Sequence, residues 1–436
     1  MRRFVMPASD AGLKRCSSIL FHGALGAALV LFAPVGFTHA HSSAVETIQG
    51  LQQDLVRDKK ERNWTAYLRD AQQLRSFLNG SPLSTLEVAR AQLQLGNRAQ
   101  ALIETRRFLA MGQTNDLLDS TLFEPLKVLV TNQMKTNQTP ISRATRAFQI
   151  ADPGLLPEDI DYDPTSKRFF LTSILETKVV ILNETGSIRN FAESPDRWPM
   201  LALKIDSRRR RLWATEVALD GFTSVAATDW GRSVLLEYDL DRGTLLSRHD
   251  GPAHGNLGDM VLAPNGDPIV SDGAGGGIYR WHDGQMKRID HGDFISPQTM
   301  AICADGQRAF VPDYVRGLAV FDIQTGVAQW ISMKNAYALN GIDGLYCHED
   351  SLVATQNGVS PERVVAFALD PSTSAVVAER VIEQTTTTLG DPTHGVFVGK
   401  TFFYIANSGW NALDEHGALK PGAHLAAALI MRMTGP

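Results

Sequence analysis

Three cysteines in 436 residues are too few for a disulfide framework. Cys16 falls within the first forty residues, so the rest of the chain has only Cys303 and Cys347. These two sit at different positions along the first strands of neighbouring repeats, and the expectation is two buried free thiols. Long apolar runs are scarce as well. The one at residues 19–32 is shorter than the about 20 residues a membrane-spanning helix needs, and no later segment approaches that length. An excess of positive charge is also missing, with 42 Lys and Arg against 47 Asp and Glu and a net charge of -5. Residues 1–40 hold four of those bases and one acid, so the remainder stands at -8. That balance argues against nucleic acid as a partner. The frames G-x-S-x-G, H-E-x-x-H, C-x-x-C and G-x-x-x-x-G-K-[ST] are absent, which removes the serine-elbow, zincin, dithiol and P-loop chemistries. What is present is a globular composition, 44% apolar and 20% charged, able to bury a full-sized core.

The first forty residues have the grammar of an export signal: Arg2, Arg3, Lys14 and Arg15, then the apolar run, then Thr38-His39-Ala40. Cleavage after Ala40 gives a periplasmic or secreted protein that begins at His41. Residues 41–138 hold few prolines or glycines and carry apolar residues at helical spacing, as in Trp64, Tyr67, Leu68, Ala71, Leu74 and Leu78. About five helices fit there. The stretch 86–109, which turns at Gly96, resembles a tetratricopeptide-type helix pair. Two roles stay open for this segment, a protein-interaction module or a bundle packed on the next domain.

From residue 139 to 436 the pattern changes to short apolar alternations broken by Gly, Asp, Asn and Pro. Six stretches share one order: a polar residue, an apolar strand, a tight turn and a second apolar strand. They lead from Glu158, Leu201, Gly258, Gln298, Asp343 and His394. A repeat of roughly 40–57 residues is the length of a four-stranded propeller blade, so the fold class is an all-β six-bladed β-propeller preceded by a small helical segment. The sixth blade lacks an outer strand, and residues 146–150 supply it, leaving no open edge. The basic turn Ser207-Arg208-Arg209-Arg210-Arg211 reads as a solvated hairpin tip.

In such a ring the residues just before each first strand face the central channel, which is where a small-molecule ligand or substrate would sit. Oxygen donors from Glu158, Gln298 and Asp343 suit a hard divalent cation, Ca²⁺ first, while His394 keeps Zn²⁺ or Mn²⁺ open. The neighbouring Asp259, with His394 and with Trp410 after Asn407-Ser408, is placed to contact a substrate. At Leu156-Pro157-Glu158, Gly258-Asp259, Pro297-Gln298 and Ile342-Asp343-Gly344 the chain resembles the gluconolactonase and senescence-marker (regucalcin-like) family of six-bladed, metal-binding propellers. The resemblance implies Glu158 and Asp343 as cation ligands and Asp343 as general base toward a lactone. Gln298 stands where that family has Asn, Gly258 where it has a substrate-binding Asn, and Asn256 where an Arg is frequent. The expected function is an exported, metal-dependent hydrolase of the lactonase type. The alternative is a non-catalytic propeller that binds a protein or a small ligand, with the helical segment as its interaction module.

Overall fold

The computed structural model describes residues 43–435 apart from 184, 304, 305, 307, 334–336 and 371–373. The expected leader and its cleavage point lie outside the described residues. Among those described, no helix is long and apolar enough to cross a membrane.

Among the described residues five α-helices come first: α1 (Ser43–Glu61), α2 (Trp64–Phe77), α3 (Pro82–Gln94), α4 (Arg98–Ala110) and α5 (Lys127–Asn137). Asn63 caps α2 by accepting from the Ala66 N–H, and Pro82 opens α3 at a position where its missing N–H costs nothing. Gly96, at φ +79°, lets the chain reverse between α3 and α4. Tyr67, Ala71 and Leu74 on one face of α2, with Leu78 just after it, pack with Ala44, Ile48 and Val88 and with Ile295 of the following domain.

The remainder is a ring of six antiparallel sheets. First strands run Pro157–Asp163, Met200–Asp206, Leu257–Leu262, Ala301–Ile302, Ile342–His348 and Gly395–Val398. Each pairs with a second strand behind it: Arg168–Ser173, Arg211–Val217, Pro268–Asp272, Arg308–Asp313, Ser351–Gln356 and Thr401–Ile405. The six-bladed propeller read from the repeats is therefore the observed fold. In the fourth blade the first strand is shorter than its sequence stretch, with only an isolated bridge from Pro297 to Asp313 ahead of it.

Thr145–Gln149 becomes the outermost strand of the sixth blade, antiparallel to Leu429–Thr434, so the ring is closed by its own N-terminal strand. The sequence did not reveal what precedes it. Ile141–Ser142 lies along the outer edge of the fifth blade, opposite Gln384 and Glu383, before the chain crosses to the sixth. One short segment thus staples two adjacent blades.

The expectation of two free thiols is corrected by the structure. Cys303 and Cys347 are joined by a disulfide, Cα to Cα 5.6 Å, and both are half-buried. Cys303 directly follows the short first strand of the fourth blade, and first strands of adjacent blades converge on the channel, so positions that differ in strand order still meet. Closing a 44-residue separation removes freedom from the unfolded chain, worth about 2–4 kcal/mol. Cys303→Ser is expected to lower the melting temperature, and dithiothreitol is expected to lower that of the wild type but not of the variant.

The helices rest on the connections that leave second strands and enter first strands, chiefly in blades four and five. Asn79 Nδ2 donates to Arg316 O (3.1 Å) and Arg316 Nε to Phe77 O (3.2 Å). The Arg316 guanidinium lies 4.5 Å from the Phe77 ring and 4.3 Å from the Trp330 ring. Thr114 N donates to Ser360 O (2.6 Å) and Gln384 Nε2 to Asn137 O (3.2 Å). This is the face onto which the channel residues open.

Candidate functional site: the acidic channel

A β-bulge places the channel residues. In blades one, two, three and five the pairing of first with second strand skips, between Pro157 and Ile160, Met200 and Leu203, Leu257 and Asp259, and Ile342 and Gly344. Residues in these gaps include Glu158, Leu201, Gly258 and Asp343, members of the column aligned from the repeats. A bulge leaves a backbone N–H without a ladder partner and re-aims the side chain. A hydroxyl of the second strand takes up that N–H: Thr172 from Asp159 (2.9 Å), Thr215 from Ala202 (3.0 Å) and Thr355 from Gly344 (2.9 Å). Thr172 then donates to Leu201 O of the next blade (2.6 Å), and Ser271 to Gln298 O (3.1 Å). The bulges are thereby locked around the ring.

The next residue of the second strand is a buried polar group that ties loops together. Asp313 Oδ2 accepts from Ile295 N and Ser296 N, and its Oδ1 from Val315 N and Arg316 N. Asp272 accepts from Asn256 N, Ala274 N and Gly275 N. Burial raises the pKa of both carboxyls, and the backbone N–H groups offset part of that rise. Glu216, the equivalent in blade two, is pushed up to about 7 by burial, against the hydrogen bond from Ser194. These acids organise loops and do not face a ligand.

At the channel itself, ligand atoms of Glu158, Asp343 and His394 lie within 4.8 Å of one another, and all three residues are at most 5% exposed. Trp410 Nε1 donates to Glu158 Oε2 (2.5 Å). Asn357 Nδ2 donates to Asp343 Oδ2 (2.7 Å), and Tyr314 OH to Asn357 Oδ1 (2.8 Å). His394 reaches from blade six to blade three: its Nδ1 donates to Glu158 O (2.8 Å) and its Nε2 meets Asp259 Oδ1 at 2.7 Å. Thr299 Oγ1 also donates to Asp259 Oδ1. Beside them Lys204 Nζ pairs with Asp159 Oδ2 (2.6 Å).

Burial alone lowers the His394 pKa, but Asp159, Asp259 and Asp343 outweigh it and hold the value well above the ordinary histidine range. The ring is therefore an imidazolium with both N–H groups donated. Tyr346, buried beside the same acids, is held well above the usual phenol range by burial and their charge.

Of the residues read from sequence, Glu158, Asp343 and His394 come together, and Asp259 joins them through His394. Gln298 lies on the channel side of blade four, but its Nε2 donates to Ser296 Oγ (3.1 Å) and Ser296 O (3.3 Å) of its own loop. Trp410 is buried, edge-on to Phe222 across 6.2 Å, and its polar atom is bound to Glu158. Sequence reasoning missed Asn357, Tyr314, Thr299 and Lys204. Asn357 follows a second strand immediately, the position known to return to the channel face, so it was within reach of the repeat alignment. Lys204 was not, because its partner belongs to another blade.

By sequence the chain matches no protein-family model and no curated protein. Among solved structures it is similar to the PQQ-bound aldose sugar dehydrogenase of Streptomyces coelicolor, with 14% identity over 67% of this chain and 99% of that one and a TM-score of 0.46. It is similar to virginiamycin B lyase of Staphylococcus aureus, with 13% identity over 66% and 98% and a TM-score of 0.45. A third is the calcium-binding protein regucalcin of Agrobacterium tumefaciens, with 18% identity over 66% and 93% and a TM-score of 0.43. At these identities the likeness concerns the fold, and the chemistry rests on the residues of this channel.

Proposed function

We propose that the channel binds Ca²⁺ through Glu158 and Asp343, and that the protein is an exported hydrolase of the lactonase type, akin to the gluconolactonases. The observation that carries this reading is the buried grouping of Glu158, Asp343 and His394 within 4.8 Å. With both nitrogens of His394 engaged, oxygen donors are what the group offers an ion, and these favour a hard cation over Zn²⁺. In this reading Gln298 is a third donor through Oε1, its Nε2 being engaged by Ser296.

When bound, such a cation polarises the carbonyl oxygen of a substrate. Asp343, oriented by Asn357 and through it by Tyr314, accepts the proton of the attacking water. The imidazolium of His394, held by Asp259, supplies positive charge where an alkoxide leaving group develops. Trp410 holds Glu158 Oε2 in place through its indole N–H.

The test is a panel of five- and six-membered lactones assayed with wild type and Asp343→Asn. Wild type is expected to hydrolyse at least one, and the variant to lose about 10²–10⁴ in kcat. A second reading is a non-catalytic propeller that binds a protein or a small ligand. It is favoured by the engagement of both ring nitrogens of His394, which fills part of the channel with the protein's own cation. A wild type inert toward the whole panel, yet stabilised by Ca²⁺, would point to that reading.

A further inference from the structure

The face opposite the channel entrance carries a second cavity, about 470 Å³, at the junction of blades two and three. It lies between the turn at Arg209–Arg211, the turn at Asn265–Pro268 and the hairpin at Trp281–Asp283, none of which touches the acidic channel group. Its volume falls in the range of small-molecule sites.

One wall is aromatic. Trp213 and Trp281 line the cavity, Trp213 only 8% exposed and Trp281 half-buried; His249 is stacked on Trp281 at 3.7 Å with 24° between the planes and lies 6.5 Å from Trp213, so the aromatic surface left to a ligand is that of Trp281. His249 is tied down by Ser247 (2.9 Å), which donates to Glu237 (2.8 Å). The rim is charged, and apart from the exposed Asp283, which meets His282 Nε2 at 3.3 Å, its charges are matched. Arg211 Nε meets Glu237 Oε1 at 3.0 Å, and Arg209 Nη1 meets Asp206 Oδ2 at 2.7 Å. Asp267 Oδ2 meets both Arg280 Nη2 and His282 Nδ1 at 2.7 Å. An anion entering here would have to break one of these pairs, and a cation would find Asp283 alone outside them. A neutral polyol would break none of the pairs, because hydroxyls add to the remaining lone pairs and N–H groups while its C–H face lies on the open part of the Trp281 indole.

We propose that this cavity is a binding site for a neutral saccharide of one or two sugar rings, formed by Trp281 and by the paired Arg211–Glu237 and Arg280–Asp267 groups. The basic turn that reads as a solvated tip is, on this view, one side of a sugar site, with Arg209 held by Asp206 and Asn265 O and Arg211 by Glu237. The inference stands apart from the channel chemistry.

The test uses the full chain and three probes, cellobiose, maltose and chitobiose, followed by tryptophan fluorescence and by saturation-transfer NMR on the sugar protons. At least one is expected to bind saturably, with a dissociation constant on the order of 1 mM. Trp281→Ala is expected to weaken it at least about tenfold. Trp281→Phe keeps a flat apolar ring and is expected to retain most of the affinity. Neither variant changes lactone turnover or the response to Ca²⁺, so failure here and failure of the channel reading are distinguishable. The proposal is overturned if no probe gives a saturable response, if Trp281→Ala binds as wild type does, or if glucose 6-phosphate binds more tightly than every neutral sugar.

Discussion

His394→Ala is expected to destabilise the propeller by about 3–5 kcal/mol, the cost of leaving one partner of a buried ion pair alone. Asp259 is 4% exposed and would keep only Thr299 Oγ1 of the two side-chain donors described for it. The loss also removes one of two donors to Glu158 O that bond blade six to blade one, leaving Thr393 Oγ1 at 2.9 Å. In a thermal melt the shift is expected to be on the order of 10 °C. The companion variant His394→Leu with Asp259→Leu removes both charges, and it is expected to recover a large part of the loss. If the double variant melted below the single, His394 would be acting as a packing residue and not as the cation of the channel.

The second large effect is ring closure. Deleting residues 145–149 from the full chain strips the outer strand from blade six, leaves Leu429–Thr434 as an open edge and shortens by five residues the connection between the staple on blade five and the first blade. Ile150, fully buried, would lose the chain that positions it. The expected cost is on the order of the whole folding stability, about 5–15 kcal/mol. Urea denaturation monitored by circular dichroism is expected to show no cooperative transition. A midpoint equal to that of wild type would mean that the ring closes without this strand.

The ring was legible because each blade repeats its apolar inner strands at a steady period, as in Ile269-Val270 and Phe310-Val311, and because one strand was missing from the count in blade six. The channel column was legible for the same reason: a bulge at a fixed place in each repeat aims Glu158 and Asp343 inward, so aligning repeats aligns the bulges. Pairings between blades were not legible. His394 and Asp259 are 135 residues apart, and which residues meet across the axis depends on the stagger of six strands that no local pattern encodes. The same stagger hid the Cys303–Cys347 disulfide. The docking of the helices onto blades four and five follows from Arg316 inserting between Phe77 and Trp330, a contact with no signature in either segment alone.

The central claim, a cation held by Glu158 and Asp343, is tested most directly by calorimetric titration of the metal-free full chain with Ca²⁺. One site per chain is expected, and at 100 times its dissociation constant the ion should stabilise the fold by about 2.7 kcal/mol, with EDTA reversing the shift. Asp343→Asn removes one of two carboxylates and is expected to abolish the binding isotherm while the protein remains folded. Absence of a Ca²⁺ isotherm in the wild type, or an isotherm unchanged in Asp343→Asn, would contradict the account.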